Sequence, residues 1–364
     1  LPFVNRRNFG QLSEVMMYDL LDSSSSSSSS DSEDELDVLL LELATTPSRE
    51  LGPHVSLDDI SEIDCKLLFR FEKVDIPRLK SALQSPGYYI CRNGTCATAM
   101  EALLILLRRL AYPNRWCELV SLFGRAEPEL SIIFNTIMDD IHNRYSHLLD
   151  SLDLIWLDTG LFSEVIHAKG APLQQCWGFI DGTARPIARP IHSQRIMFSG
   201  HKRTHCIKFQ SIQAPNGLIA HMFGPIEGRR HDAFMLGVSD LLPKLQGFVQ
   251  PNGRPYVIYG DPAYPITCNI LAPFRGVNLT IHEQEFNRKM SKVRVNVEWG
   301  FGKISQNFAY LDFKKNLKVL LQPVGKYYLV ATILINCHTC LYGSQTSSFF
   351  ELEPPTLETY LSNQ

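Results

Sequence analysis

The stretch "VRVNVEWGFGK", Val293 to Lys303, sets one carboxylate, Glu298, among Val293, Val295, Val297, Trp299 and Phe301. An ionised carboxylate is rarely buried unless it is paired or binds a metal, because taking the charge out of water is costly. Within Val293 to Phe301 the apolar residues alternate with period two, the pattern of a strand. A wider window reverses that reading. Phe286, Met290, Val293, Val297, Phe301, Ile304 and Phe308 recur at three and four spacing for over five turns, which predicts a helix. Asn287, Ser291, Arg294 and Glu298 then form an adjacent polar stripe, with Arg294 one turn before Glu298. Two readings stay open from these residues: a plain Arg-Glu pair contributing about a few tenths of a kcal/mol, or an acid with a chemical task.

Outward from Glu298, short apolar runs end at acids. "QCWGFIDGTARPI" reads as a strand with Asp181 at its end, and "RPYVIYGDPAYP" as a strand stopped by Gly260, with Asp261 next. Between them, "HCIKFQSIQAPNGLIAHMFGPIEG" predicts two strands joined at the Asn216-Gly217 pair, and "RRHDAFMLGVSDLLPKL" turns helical. Three strands, a helix, a strand and later helices make an α/β layer with acids at strand ends, where ligands of open α/β sheets usually sit.

Toward the amino terminus the pattern is helical from roughly Ile60 to Ile155. "TAMEALLILLRRLAY" is an amphipathic helix with its two arginines on the far side, and a shorter helix ending at "FGRAEP" precedes a longer one beginning after Pro128. Helix, glycine turn, helix is the outline of a helix-turn-helix, though any helical bundle has the same outline, and Asp139 and Asp140 on the second helix would repel phosphate. A composition shift at "KGAPLQ", Lys169 to Gln174, marks a linker. The expected organisation is a tail over 1–57, a helical domain over 58–168, an α/β domain over 169–345 and a short tail over 346–364.

Charge is uneven along the chain. Lys and Arg number 35 and Asp and Glu 38, a net charge of −3. Eight consecutive serines, Ser23 to Ser30, lead into "DSEDELD", a run that cannot bury apolar surface; it is expected to be disordered and offers acid-flanked serines to a kinase. Between Arg185 and Arg230, in contrast, stand eight Lys or Arg residues and one acid, Glu227. That density favours a polyanion partner over an ordinary solvated face. The apolar "YYLVATILINC" from Tyr327 is too short to span a bilayer and predicts a buried core helix. No secretory signal is expected, and a chain starting at Leu1 without methionine leaves trimming open. Nine scattered cysteines fit a reducing compartment.

The ordered set "FIDGTARPIARP", "GHKRTHCIKFQS", "GPIEGRRHDAFML", "YGDPAYP", "APFRG" and "FNRKMSKVRVNVEWGFGKI" resembles the PIF/Harbinger superfamily of transposases and the nucleases derived from them, DDE superfamily endonucleases, over about residues 60 to 345. The resemblance implies an α/β, RNase H-like catalytic domain preceded by an all-helical, helix-turn-helix-like domain. It implies two aspartates and one glutamate on the first strand, the fourth strand and a later helix, carried here by Asp181, Asp261 and Glu298. These would be both the catalytic residues and the ligands of two Mg²⁺ or Mn²⁺ ions. Ala263 stands where the family most often has glycine, which leaves the aspartate in place. Asp232 in "RRHD" is a further family-like acid, expected to support the site and not to bind metal. The resemblance also implies work on transposon ends and target DNA, in the nucleus, beside a Myb/SANT-like partner protein; homo-oligomerisation is left open and no membrane is expected.

The chemistry agrees. Phosphodiester cleavage needs an activated water and charge stabilisation on both the attacking and leaving oxygens, which two hard cations about 4 Å apart supply, and carboxylates are the ligands such cations prefer. Arg185, Arg189, Arg195, Lys202 and Arg203 follow the first acid and are candidates to line a DNA path, setting affinity and salt dependence. "CHTC", Cys337 to Cys340, has zinc-like spacing without a second pair and reads as buried thiols. His192, His201, His205, His221 and His231 read as phosphate or surface contacts. No Gly-rich phosphate loop with lysine is present, so ATP-driven chemistry is not indicated. The rival reading is a domesticated descendant that binds DNA or chromatin without cutting.

Overall fold

In a computed structural model, residues 54–362 are described, so the serine and acid run lies outside the described residues. The described residues group as one compact unit. The first part is helical: α1 (Glu62–Phe69), α2 (Asp75–Ala82), α3 (Ala99–Ala111), α4 (Trp116–Phe123), α5 (Glu127–Tyr145), α6 (His147–Asp150) and α7 (Thr159–Ala168). Interrupting it is a hairpin, β1 (Tyr88–Ile90) and β2 (Cys96–Thr98), that the apolar periodicity did not foretell. The expected glycine turn is present, with Gly124 in the left-handed region (φ 64°) between α4 and α5.

Helix α3 departs from the amphipathic expectation. It is buried on nearly every side, and Arg109 is 5% exposed, its guanidinium 4.2 Å from the Trp116 ring centroid and 4.6 Å from that of Tyr310. Aromatic faces, in place of water, stabilise that charge. Glu101 is equally buried and receives Arg125 through two hydrogen bonds, the Nη2 one at 2.9 Å.

After the 169–175 segment comes a mixed sheet. Strand β3 (Cys176–Pro186) pairs antiparallel with β5 (Thr204–Gln213), which pairs antiparallel with β6 (Ile219–Glu227). On its other edge β3 runs parallel to β7 (Val257–Tyr259), which runs parallel to β8 (Ile270–Leu271). The spatial order is therefore β6-β5-β3-β7-β8, with a two-residue β4 (Phe198–Ser199), preceded by α8 (Gln194–Met197), pairing with the start of β5. The β5 to β6 turn closes at Gly217 (φ 85°), as the Asn-Gly pair predicts. Helices α9 (Asp232–Val238) and α10 (Leu241–Leu245) separate β6 from β7.

The Glu298 region is helical, in two pieces. Thr280 and Glu283 form a capping box that starts α11 (Ile281–Arg294); α12 (Asn296–Asn307) follows after Val295. The continuous helix read from periodicity is thus broken at Val295, one turn before the acid. Long helix α13 (Val324–Tyr342) is buried along most of its length, as expected of "YYLVATILINC". Its Asn336 is satisfied inside: Oδ1 accepts from Ile219 N at 3.0 Å, and Nδ2 donates to Ile219 O at 2.9 Å and to Tyr360 Oη at 3.0 Å. Short helices α14 (Gln345–Phe350) and α15 (Leu357–Leu361) end the fold. No described helix is long and apolar enough to cross a membrane, and Cys65, Cys91, Cys176, Cys206 and Cys337 are buried as free thiols.

Candidate active site

Asp181 stands in the middle of β3, not at its end. The buried apolar half of that strand stops at Ile180, but pairing with β5 carries it to Pro186. Asp261 follows β7 after Gly260, whose lack of a side chain matters: a Cβ there would lie 2.9 Å from Ile180 Cγ2 and 2.9 Å from the Tyr264 ring. One Asp261 oxygen accepts from Ala263 N at 3.0 Å, so the acid also fixes the turn after the strand. Because β3 and β7 are adjacent and parallel, these two acids meet at one side of the sheet. Helix α12 brings Glu298 to them in its first turn.

All three acids line one cleft of about 320 Å³, together with Asp232, Arg294, His201, Lys202 and Lys208. Arg294 does not take the role its spacing suggested. Its Nη2 donates to Asp181 Oδ1 at 2.7 Å, and Glu298, exposed, carries no ion pair among the described residues. Arg294 closes α11 and Glu298 lies in the first turn of α12, with Val295 between them.

The field in the cleft is set by crowding of acids. Burial pushes the Asp181 carboxyl up to about 6, with Arg294 pulling it down and Asp261 pushing it further up. Burial also raises Asp232, against the pull of Lys208. Asp232 lies against the backbone of the first motif: a Cβ on Gly182 would come within 2.8 Å of its Oδ1. The glycine of "DGT" is the space that Asp232 occupies. Buried Tyr264, whose hydroxyl has no partner among the described residues, is held well above its ordinary pKa by burial and by these acids.

Carboxylate oxygens are the donors that hard divalent cations take, so the chemistry of this cleft suits such an ion. The spacing does not close a coordination shell: among the described residues no group of three or more acids, histidines or cysteines is drawn together closely enough to hold a metal ion. An oxygen of Asp181 is engaged by Arg294 instead.

Of the basic residues singled out, Lys202 lines the cleft, and Arg189, Arg195 and Arg203 are exposed on the segment leading to it. Arg185 is turned inward. Its Nη1 donates to Ser305 Oγ at 2.8 Å, it pairs with Asp312 at 3.2 Å, and its guanidinium lies 4.9 Å from the Tyr328 ring centroid. Sequence reading missed Lys208, whose Nζ donates to Arg230 O at 2.6 Å, although it sits in the basic run on β5 opposite Ala184. Cys337 is buried and Cys340 half-buried, burial raising both thiols, and they gather no metal partners.

A family model matches this part of the chain. Residues 180–336 match DDE superfamily endonuclease. The stretch begins one residue before Asp181 and contains Asp232, Asp261, Arg294 and Glu298. No curated protein and no solved structure matches the chain. The match carries a nuclease reading, with DNA as the substrate class, for the sheet and the helices that frame the cleft.

Proposed function

We propose that the protein is a metal-dependent DNA endonuclease or transposase of the PIF/Harbinger type. It hydrolyses phosphodiester bonds at transposon ends and joins the freed 3′-hydroxyl to target DNA. The observation that carries this reading is the convergence of Asp181, Asp261 and Glu298, distant in sequence, on one cleft whose other wall is basic. The strand order, three antiparallel strands continued by two parallel ones, supports an RNase H-like fold.

In this reading Asp181, Asp261 and Glu298 would hold two Mg²⁺ or Mn²⁺ ions, and that pair would supply charge neutralisation at the attacking and leaving oxygens. Lys202 and Lys208 draw the scissile phosphate toward the acids, and Arg189, Arg195 and Arg203 extend that attraction along the backbone, fixing position without reading sequence. Asp232 keeps its place over Gly182 and so sets the backbone on which Asp181 is carried. Arg294 holds the Asp181 carboxylate in orientation, and its charge offsets part of the repulsion among the acids. The work is nuclear, beside a Myb/SANT-like partner that supplies sequence recognition.

Isothermal titration with Mn²⁺ and Mg²⁺, beside nicking of a DNA duplex, tests this on the protein and on Asp181→Asn, Asp261→Asn and Glu298→Gln. Metal binding should weaken in each variant, and nicking should fall by about 10²–10³-fold or more, the scale of losing one preorganised electrostatic group. DNA binding without nicking, and metal binding identical in all four proteins, would replace the proposal with a non-cutting DNA-binding module.

A further inference from the structure

Helix α1 presents a stripe that stands open among the described residues. Ile63 and Leu67, one turn apart, are 83% and 53% exposed, and Lys66 and Arg70 follow at helical spacing on the same face. Leu67 is joined to a second element: its carbonyl accepts from Tyr112 Oη at 3.2 Å, just after α3. The guanidiniums of Arg70 and Arg108 lie 4.5 Å and 4.7 Å from the Tyr112 ring centroid. An aliphatic pair and two arginines gathered on one ring are thus continuous.

Three features of this surface lack an explanation within the fold. Arg125, Arg144, Arg185 and Arg294 each pair with a carboxylate, whereas Arg70 and Arg108 pair with none among the described residues. Glu118, the acid that acts on Arg108 from beyond ion-pair distance, accepts from Asn114 Nδ2. Burial, the larger effect, and the charge of Arg70 both hold Arg108 below its ordinary pKa, so the two cations are crowded as they stand. Arg70 also closes α1 in the left-handed region, φ 69°, where glycine costs least. A side chain is kept there against the preference of the backbone. The free donors remain within reach of a partner: Arg70 spends only Nε, on Asn307 O at 3.3 Å, and Arg108, with Nε and Nη1 shut in, keeps Nη2 to face out.

An occupant that answers these features carries anions for the two guanidiniums and aliphatic side chains for Ile63 and Leu67. Duplex DNA offers the anions without the aliphatic groups. We propose that this surface docks an acidic amphipathic segment of a partner protein, with its apolar side chains against Ile63 and Leu67 and its carboxylates on Arg70 and Arg108. Arginine and tyrosine are the residues on which binding energy concentrates at interfaces, and a carboxylate met by a guanidinium forms the stronger, charge-assisted hydrogen bond. Lys66, already paired with Glu72 at 3.0 Å, is left at the rim. The surface shares no residue with the acid cleft, and the proposal stands whether or not the protein cuts DNA.

The test follows the anisotropy of a fluorescein-labelled synthetic peptide, leucines at three and four spacing and glutamates elsewhere, titrated with the full chain, Arg70→Gly and Leu67→Glu. Wild type should bind saturably, and Arg70→Gly about 10-fold more weakly or worse, the scale of a lost hydrogen bond to a charged group. Leu67→Glu, which sets a carboxylate against those of the peptide, should not bind at the same concentrations. Both variants should melt close to the wild type, the first because glycine takes that backbone freely and the second because its site is exposed. The peptide with glutamine for glutamate should bind wild type far more weakly, and a DNA duplex should bind wild type and Arg70→Gly alike. Absence of saturable binding by the wild type, binding by either variant equal to it, or a glutamine peptide as good as the glutamate one overturns the proposal. A duplex weakened by Arg70→Gly as much as the peptide would assign the arginines to DNA and overturn it too.

Discussion

Arg294 Nη2 donates to Asp181 Oδ1 at 2.7 Å, tying the last turn of α11 to the middle of β3. Both side chains are largely buried, 22% and 19% exposed, and the Arg294 Nε has no partner among the described residues. The arginine that closes α11 thus serves the first acid of the cleft and not the glutamate one turn ahead of it.

Arg294→Met removes the largest influence holding the Asp181 carboxyl down, so that carboxyl should rise above about 6. If the proposed nuclease reading holds, nicking should then lose its acid limb at a higher pH than in the wild type. Stability near neutral pH should drop by about 1–3 kcal/mol, the cost of leaving a buried polar group unmet, and by less at pH 5, where Asp181 can protonate. A pH-rate profile with urea unfolding at both pH values checks this. An unmoved acid limb would make Arg294 a purely structural contact.

Asp181 also gives the wild type a signature of its own. Its folded pKa, about 6, lies above the ordinary 3.8, so the folded state binds this proton more tightly than the unfolded chain does. Stability should therefore fall as pH rises between those values and level off above them. Asp181→Asn mimics the protonated side chain and should be more stable than the wild type at pH 7.5 by about 1–2 kcal/mol, after discounting for partial exposure. Below pH 4 the difference should close. Thermal melts across pH check the sign, and a variant less stable than wild type at pH 7.5 would refute it.

Gly182→Ala places a methyl where Asp232 now sits. The atoms that must yield are the end of a flexible side chain, so stability should change by under about 1 kcal/mol. Nicking should fall more than stability does, because the displaced carboxylate borders the cleft. Asp232→Ala should lose activity of its own, and adding Gly182→Ala to it should cost little more, a coupling that a double-mutant cycle measures.

In the helical part, Glu101 and Arg125 are 6% and 7% exposed and pair through two hydrogen bonds, and Arg125 Nη2 also donates to Cys96 O at 2.8 Å. Glu101→Ala should destabilise by about 3–5 kcal/mol, leaving the buried guanidinium with only Glu129, 3.6 Å away, as counter-charge. Replacing both, as Glu101→Leu with Arg125→Met, should recover most of that loss in denaturant unfolding.

Legibility in the sequence followed the range of the interactions. The strands around Asp181 and Asp261, the Asn216-Gly217 turn and the buried helix from Val324 are local patterns of apolar residues and turn chemistry, and the chain spells them out. The helical reading of the Glu298 stretch survived, but its break at Val295 did not show, because the apolar spacing runs through it unbroken. Partner choice was hidden for the same reason. Spacing along a helix pointed Arg294 to Glu298, whereas the partner lies 113 positions away on a strand. Arg185 looked free in a basic run and is held by Ser305 and Asp312, also from the far end of the chain. The hairpin Tyr88–Thr98 is too short for periodicity to separate it from a helix connection.

Helix α13 has a mechanical consequence. Lys326 pairs with Asp139 at 2.6 Å and Tyr327 Oη donates to Asn135 Oδ1 at 3.3 Å, both on α5, while Asn336 is bonded to the backbone of β6 on the opposite flank. One rod is pinned to both halves of the molecule. Heat should melt those halves in a single calorimetric step, and DNA bound across the basic rim would meet a rigid anvil rather than a pair of closing jaws.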